Sequence, residues 1–262
     1  MDVVALMALG SSVEEEAPRL AADLGSTAYE AALLLRSQTP VPLLRTDDRA
    51  RALDLVTKLR ARRHDVVACE SGAVVSSDAM IAVRSFQLEP EALVVTTATQ
   101  ATRVAWSDVV ALVRAIHKTS SEHIEKSAER KLSLGRAAMS GGFLMTKTVT
   151  KTAKHTVEER EQVLYVFRNG GVPLLATISR TRYEGLAAAL RPSQIENFNT
   201  LVRTLRERAP QALYDERLLA PRPGLDRLRA GTAGTVSASS SDGINLLAHL
   251  IALAGTRARP YR

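Results

Sequence analysis

Two helix-start signals, fifteen residues apart, frame the beginning of this chain: Ser12 stands three residues before Glu15, and Thr27 three before Glu30. This is the spacing of a capping box, in which a hydroxyl and a carboxylate each satisfy a free N–H group at a helix start. Ahead of the first signal lies Val3 to Leu9, an apolar run of strand length broken by Gly10-Ser11-Ser12. The first helix then holds Leu20, Ala21 and Leu24 and stops at Gly25. The second carries Ala28, Ala31, Ala32 and Leu35 and is ended by Pro40 and Pro42. Val41 to Arg45 reads as a short strand, and Thr46 or Asp47 as the cap of a third helix with Ala52, Leu53, Val56 and Leu59 on one face. Asp47-Asp48 suits a helix start, where carboxylates favour the dipole. Val66 to Cys69 supplies a closing strand, so residues 1–71 are expected to form a βααβαβ module.

The stretch from Leu24-Gly25-Ser26-Thr27-Ala28-Tyr29-Glu30-Ala31 to Asp65-Val66-Val67-Ala68 resembles a small fold shared by two families. One is the C-terminal domain of the bacterial ribosomal stalk protein; the other is the adaptor that delivers substrates to the Clp protease. The resemblance rests on element order and spacing. It implies the fold and a habit of binding other proteins, and it carries over no site residue.

Residues 78–220 read differently. Ile81 to Leu88, Ala92 to Thr97 and Arg103 to Trp106 are strand-like, with turn chemistry at Glu89-Pro90. Ser107-Asp108 reads as the cap of a helix over Val109 to His117. Gln162 to Arg168 and Val172 to Arg182 flank Asn169-Gly170-Gly171, a hairpin signal because Asn and Gly tolerate positive φ. Ile195, Phe198, Leu201, Val202 and Leu205 then recur at helical spacing until Pro210. A mainly β, barrel-like module closed by a helix is expected, and it is similar in architecture to the pleckstrin-homology-like domains, which implies a scaffold for lipids, peptides or partner domains. Trp106 is expected in its core.

Charge divides the chain. Residues 1–125 carry 13 Lys/Arg against 17 Asp/Glu, whereas residues 126–262 carry 22 against 11. The excess concentrates in a basic insertion, residues 126–160, with eight Lys/Arg against three Glu. There Lys126, Arg130, Lys131, Arg136, Lys147, Lys151 and Lys154 stand among threonines and beside the apolar stretch Gly141-Gly142-Phe143-Leu144-Met145. These seven are the candidate anion-binding residues, facing either a nucleic-acid backbone or an acidic lipid layer. A long solvated hairpin with its lysines in water is the competing reading. Aromatics at 4% leave little for base stacking.

Pro221-Arg222-Pro223-Gly224 opens a linker over 221–241 that Ser237 to Ser241 closes, and a short helix over 242–256 follows with Ile244, Leu247, Leu250, Ile251 and Leu253. Docking on its own chain, on a second copy in a homo-oligomer, or at a membrane are its three alternatives.

No chemistry emerges. His64, His117, His123, His155 and His249 show no metal-ligand spacing, and one cysteine, Cys69, excludes an internal disulfide and every multi-cysteine zinc pattern. Gly141-Gly142, Gly170-Gly171 and Gly231-Thr232-Ala233-Gly234 lack the ending of a phosphate-binding loop. Catalytic, cofactor and metal sites are expected to be absent. The absence of a basic start before the first apolar run, with Glu14-Glu15-Glu16 after it, points to the cytoplasm. The sequence thus reads as an α+β, non-catalytic binding or adaptor protein acting through protein–protein contacts with an unidentified partner. Nucleic-acid or anionic-membrane binding through 126–160 is the alternative.

Overall fold

The computed structural model describes residues 1–97, 100–132, 146–220 and 241–257, with the side chains of 118–159, 241 and 257 outside the description. It divides into two compact units, Met1–His117 with Glu161–Arg262, and Lys118–Arg160. The fold is α+β.

The chain begins β1 (Asp2–Ala8), α1 (Val13–Leu24), α2 (Ala28–Leu35), β2 (Val41–Thr46), α3 (Arg49–Ala61) and β3 (Asp65–Glu70). The strands form an antiparallel sheet of order β2-β1-β3. Local chemistry explains the helix ends. Ser12 accepts a hydrogen bond from the Glu15 N–H, and Thr27 with Glu30 forms a reciprocal capping box. Gly25 ends α1 at φ 69°, a conformation that costs glycine little.

The remainder comprises β4 (Ile81–Ala82), β5 (Ser85–Leu88), β6 (Ala92–Thr96), β7 (Ala101–Ala105), β8 (Val109–Leu132), β9 (Thr146–Arg168), β10 (Leu174–Thr177), α4 (Gln194–Arg208), β11 (Leu213–Leu218) and α5 (Ser241–Arg257). One sheet runs β11-β8-β9-β10-β4 and another β5-β6-β7. The described residues of the second unit belong to β8 and β9.

Alternation along the strands sorts the first unit into layers, because successive side chains of a strand point to opposite faces. Val4 and Leu6 of β1 pack with Leu20, Ala31, Leu55 and Leu59 of the three N-terminal helices. Val3, Ala5 and Met7 face the other way, onto Leu247, Leu250 and Ile251 of α5. Beyond α5 the same core takes in Ala111 and Val113 of β8 and Val163, Tyr165 and Phe167 of β9. Leu112, Leu164 and Val166 point to the opposite face, where Phe198, Leu201, Val202 and Leu205 of α4 join Phe86, Val95, Val104 and Trp106. Helix α5 therefore lies between two sheets. A helix apolar around its circumference is one that is buried on all sides, and Ile244, Leu246, Leu247, Ala248, Leu250, Ile251 and Ala252 are all buried. Each fully buried Leu or Ile among them contributes roughly 1.5–3 kcal/mol of transfer free energy.

Several expectations are corrected. Val109 to His117 is strand, not helix: a strand covered on both faces reads as an unbroken apolar run, which periodicity does not separate from a buried helix. The mainly β module contains no closed barrel among the described residues; its sheets are open, with β11 and β4 as edges of the larger one. Ile81 to Leu88 is two strands, and only Leu174–Thr177 of Val172 to Arg182 is strand. Asp48, not Thr46 or Asp47, caps α3, accepting from the Arg51 N–H at 3.0 Å, because β2 holds Thr46 in strand. Leu53 is exposed and Leu55 buried in its place, one turn from Ala52 and Leu59. Of the 221–241 linker, residues 221–240 lie outside the described residues, while Ser241 opens α5. The terminal helix docks on its own chain, the first of its three alternatives, with Leu247, Leu250 and Ile251 buried in the core. Trp106 is buried as expected, and Gly170 turns the β9–β10 hairpin at φ 64°.

Candidate functional site

Most buried polar groups of the first unit are taken up by its own structure. Glu16 is fully buried, with Oε2 3.0 Å from His64 Nε2 and Oε1 2.8 Å from Arg62 Nη2. Both contacts are close but poorly aligned for hydrogen bonding; the one to Arg62 is an ion pair, and the one to His64 is a polar contact with a neutral ring. Arg62 reaches Asp23 at 2.6 Å, and Lys58 links Asp23 to Asp54. The Gly10 N–H donates to His64 Nδ1 at 2.9 Å, which leaves the ring proton on Nε2, facing Glu16. A Cβ on Gly10 would lie 2.1 Å from the Arg63 carbonyl oxygen, so only glycine lets the two turns meet.

A second network surrounds α5. The Tyr165 hydroxyl donates to Asn245 Oδ1 at 2.5 Å, so its oxygen accepts from His117 Nε2, also at 2.5 Å. Asn245 Nδ2 donates to Ser77 Oγ at 2.9 Å. His249 accepts from the Val75 N–H at 3.2 Å and meets the Asn245 carbonyl oxygen at 2.7 Å. Burial lowers His117 to about 4, with Glu161 pulling weakly the other way. Burial likewise lowers His249 and raises the Tyr165 phenol well above its ordinary value. The three histidines whose side chains are described are thus bonded into the interior.

An open groove of about 500 Å³ stands apart from these networks, lined by Arg203, Arg206 and Glu207 of α4, by Ala209, Pro210 and Ala212 of the connecting turn, and by Tyr214 of β11. Its construction follows from amphipathicity. Phe198, Leu201, Val202 and Leu205 turn α4 toward the core, which leaves Arg203 and Arg206 outward and one turn apart. Ser193 starts the helix by accepting from the Glu196 N–H at 3.2 Å, and Pro210 follows its end. The Gln211 side chain ties the connecting turn to the carbonyl oxygen of Trp106.

Across the groove, Arg206 lies over the Tyr214 ring at 3.9 Å, a cation–π contact. Tyr214 donates to Glu216 Oε2 at 3.0 Å. Burial raises its phenol, with Arg114 opposing, so it is neutral at neutral pH, with its one proton already given to Glu216. Arg114 itself is committed, donating to Gln162 Oε1 and Asn199 Oδ1 at 2.9 Å each. Arg208 is committed as well, to the Glu89 carbonyl oxygen at 3.0 Å. Arg203 and Arg206, by contrast, have neither hydrogen bond nor ion pair among the described residues, and both are exposed. The groove therefore offers two guanidinium forks, an aromatic hydroxyl and a small apolar floor. Guanidinium forks match carboxylate and phosphate oxygens.

The sequence-predicted residues lie elsewhere. Lys126, Arg130 and Lys131 are on β8, and Lys147, Lys151 and Lys154 on β9, with their side chains outside the described residues; Arg136 lies outside them altogether. Arg203, Arg206 and Tyr214 were not anticipated. Their signal was present in the helical period of α4, whose inward residues place the arginines outward, but β11 carried too little apolar pattern to announce a strand.

No protein-family model, no curated protein and no solved structure matches this chain.

Proposed function

We propose that this chain is a non-catalytic cytoplasmic adaptor that works through protein–protein contacts, with the groove between α4 and β11 as a binding surface. The observation that carries this reading is the contrast in commitment. Arg62, Arg114, Arg208 and Arg217 are bonded to the chain's own oxygens, whereas Arg203 and Arg206 face the groove with no hydrogen bond or ion pair among the described residues. A non-catalytic role is supported by His64, His117 and His249, the histidines whose side chains are described, each bonded into the interior. No helix of the described residues is long and apolar enough to cross a membrane.

The first 70 residues support the same reading. Their βααβαβ order is the one that the stalk-protein domain and the Clp adaptor share, and the resemblance to those protein-binding modules belongs to the proposal. Tyr29 and Leu33, one turn apart on α2, are exposed apolar side chains of that region.

The test is comparative affinity isolation from the source cell, using the full chain and the Arg203→Glu/Arg206→Glu variant with nuclease present. A protein held in stoichiometric amount by the wild type and lost from the variant is the expected result. Retention of nucleic acid alone before nuclease treatment, or of acidic vesicles independently of these two arginines, would replace the groove with the basic segment 126–160 as the binding surface.

A further inference from the structure

Resting on that reading, we infer that the groove takes an extended acidic segment of a partner protein, added as a strand along the outer edge of β11. Four observations converge on this occupant.

The first is topological. β11 is a terminal strand of its sheet and pairs in parallel with β8 alone among the described residues, through Leu213, Tyr214, Asp215 and Leu218. The outward N–H and C=O groups of an edge strand are a template for another chain. The second is charge. Arg203 and Arg206 stand one helical turn apart, and side chains on one face of an extended strand recur every second residue, roughly 6.5 Å apart. Carboxylates at alternate positions of such a strand reach both forks.

The third concerns which anion fits. Glu207 lines the groove beside the arginines, and Glu216 already accepts from Tyr214. A phosphodiester chain carries a charge at every step and would meet both carboxylates. A peptide places its charges at chosen positions and can set a neutral or cationic side chain against them. The fourth is shape. Ala209, Pro210 and Ala212 leave a shallow apolar floor in a groove open along its length, which suits an extended segment more than an enclosed small molecule. Apolar residues alternating with the acidic ones would rest there, beside the Tyr214 ring.

The experiment is selection of phage-displayed random octapeptides on the full-length protein. The leading peptide is then synthesised and titrated by fluorescence anisotropy. Acidic residues at alternate positions are expected, with affinity at least tenfold weaker for Arg203→Ala/Arg206→Ala. Both side chains are exposed and, among the described residues, make no hydrogen bond or ion pair, Arg206 resting only on the Tyr214 ring, so the variant should fold as the wild type does. Two N-methylated versions of the peptide, blocked at odd or at even residues, test the backbone. Strand addition predicts that one loses binding and the other keeps it, because only alternate residues face the edge. Equal binding of both, selection of sequences without acidic bias, or an unchanged affinity in the double variant would overturn the inference. A twelve-residue oligothymidylate that binds through the same arginines more tightly than any peptide would also overturn it. If a folded partner is captured through Arg203 and Arg206 while no peptide is selected, the adaptor reading stands and only the added strand is lost.

Discussion

The two buried polar networks of this protein differ in charge and in reach. One joins Gly10, Glu16, Asp23, Lys58, Arg62 and His64, all within the first 64 residues, and centres on the ions Glu16, Asp23, Lys58 and Arg62. The other joins Ser77, His117, Tyr165 and Asn245, bridging up to 168 residues, and is built from neutral groups. The first clamps turns at one end of the β2-β1-β3 sheet, where Gly10 presses on the Arg63 carbonyl. The second has a different task. Helix α5 is apolar around its circumference, so hydrophobic burial alone holds it between two sheets without fixing its rotation. Asn245 and His249, one turn apart, bond to Ser77, Tyr165 and Val75 and select one orientation. Ions thus serve where the chain turns sharply, and neutral hydrogen bonds serve where a featureless helix must be given a register.

The charged network should be the harder to break. Removing one partner of a buried ion pair strands the other, at a cost of about 3–5 kcal/mol. Glu16→Ala leaves the buried His64 without its acceptor and Arg62 with Asp23 alone. Urea unfolding at neutral pH should show a loss of that size with an unchanged m-value. A loss below about 1 kcal/mol would place this network with surface ion pairs and erase the contrast.

Acid should act through the neutral network. His117 titrates at about 4 in the folded chain and near 6.5 in the unfolded one, so between these values the unfolded state binds the extra proton. Stability is therefore complete above about pH 6.5 and falls as the pH drops toward 4, by about 1.4 kcal/mol per pH unit from this residue. His249 is lowered by burial too and adds to the same slope. His117→Asn should flatten the pH dependence of the unfolding free energy between pH 6.5 and 4.5 without abolishing it. An equal slope in wild type and variant would show that His117 is hydrated in the folded state.

Much of this contrast was legible in the sequence, though unevenly. The N-terminal elements announced themselves through Ser12, Thr27 and Gly25, because capping is local chemistry. The β9–β10 hairpin did so through Gly170, and α4 through Phe198, Leu201, Val202 and Leu205. What failed was long-range. Val109 to Val113 looks the same as helix or as buried strand until the layers on both its faces are known. Leu213-Tyr214-Asp215-Glu216-Arg217-Leu218 has mixed polarity because it lies at an edge, so neither the strand nor the groove beside it showed. The helical period exposed Arg203 and Arg206, but no local rule says whether an outward arginine is paired. Asn245 and His249 read as interruptions of an apolar helix; their partners lie 168 and 174 residues away.

The smallest effect should come from the central hydroxyl of the neutral network. Tyr165→Phe keeps the ring and its stacking on Phe167 while removing the donor to Asn245 and the acceptor for His117. The expected loss is about 1–2 kcal/mol, since neutral partners left unsatisfied cost less than stranded ions. Asn245→Leu alone should cost a similar amount, by leaving the Tyr165 hydroxyl and Ser77 without it. The double variant is the informative one. If the network sets the rotation of α5 as a unit, the two losses fall short of adding, with a coupling of about 0.5–3 kcal/mol in the cycle. Strict additivity would mean that each bond stabilises its own pair of elements independently. The orientation of α5 would then have to come from the shapes of Leu247, Leu250 and Ile251 against the two sheets.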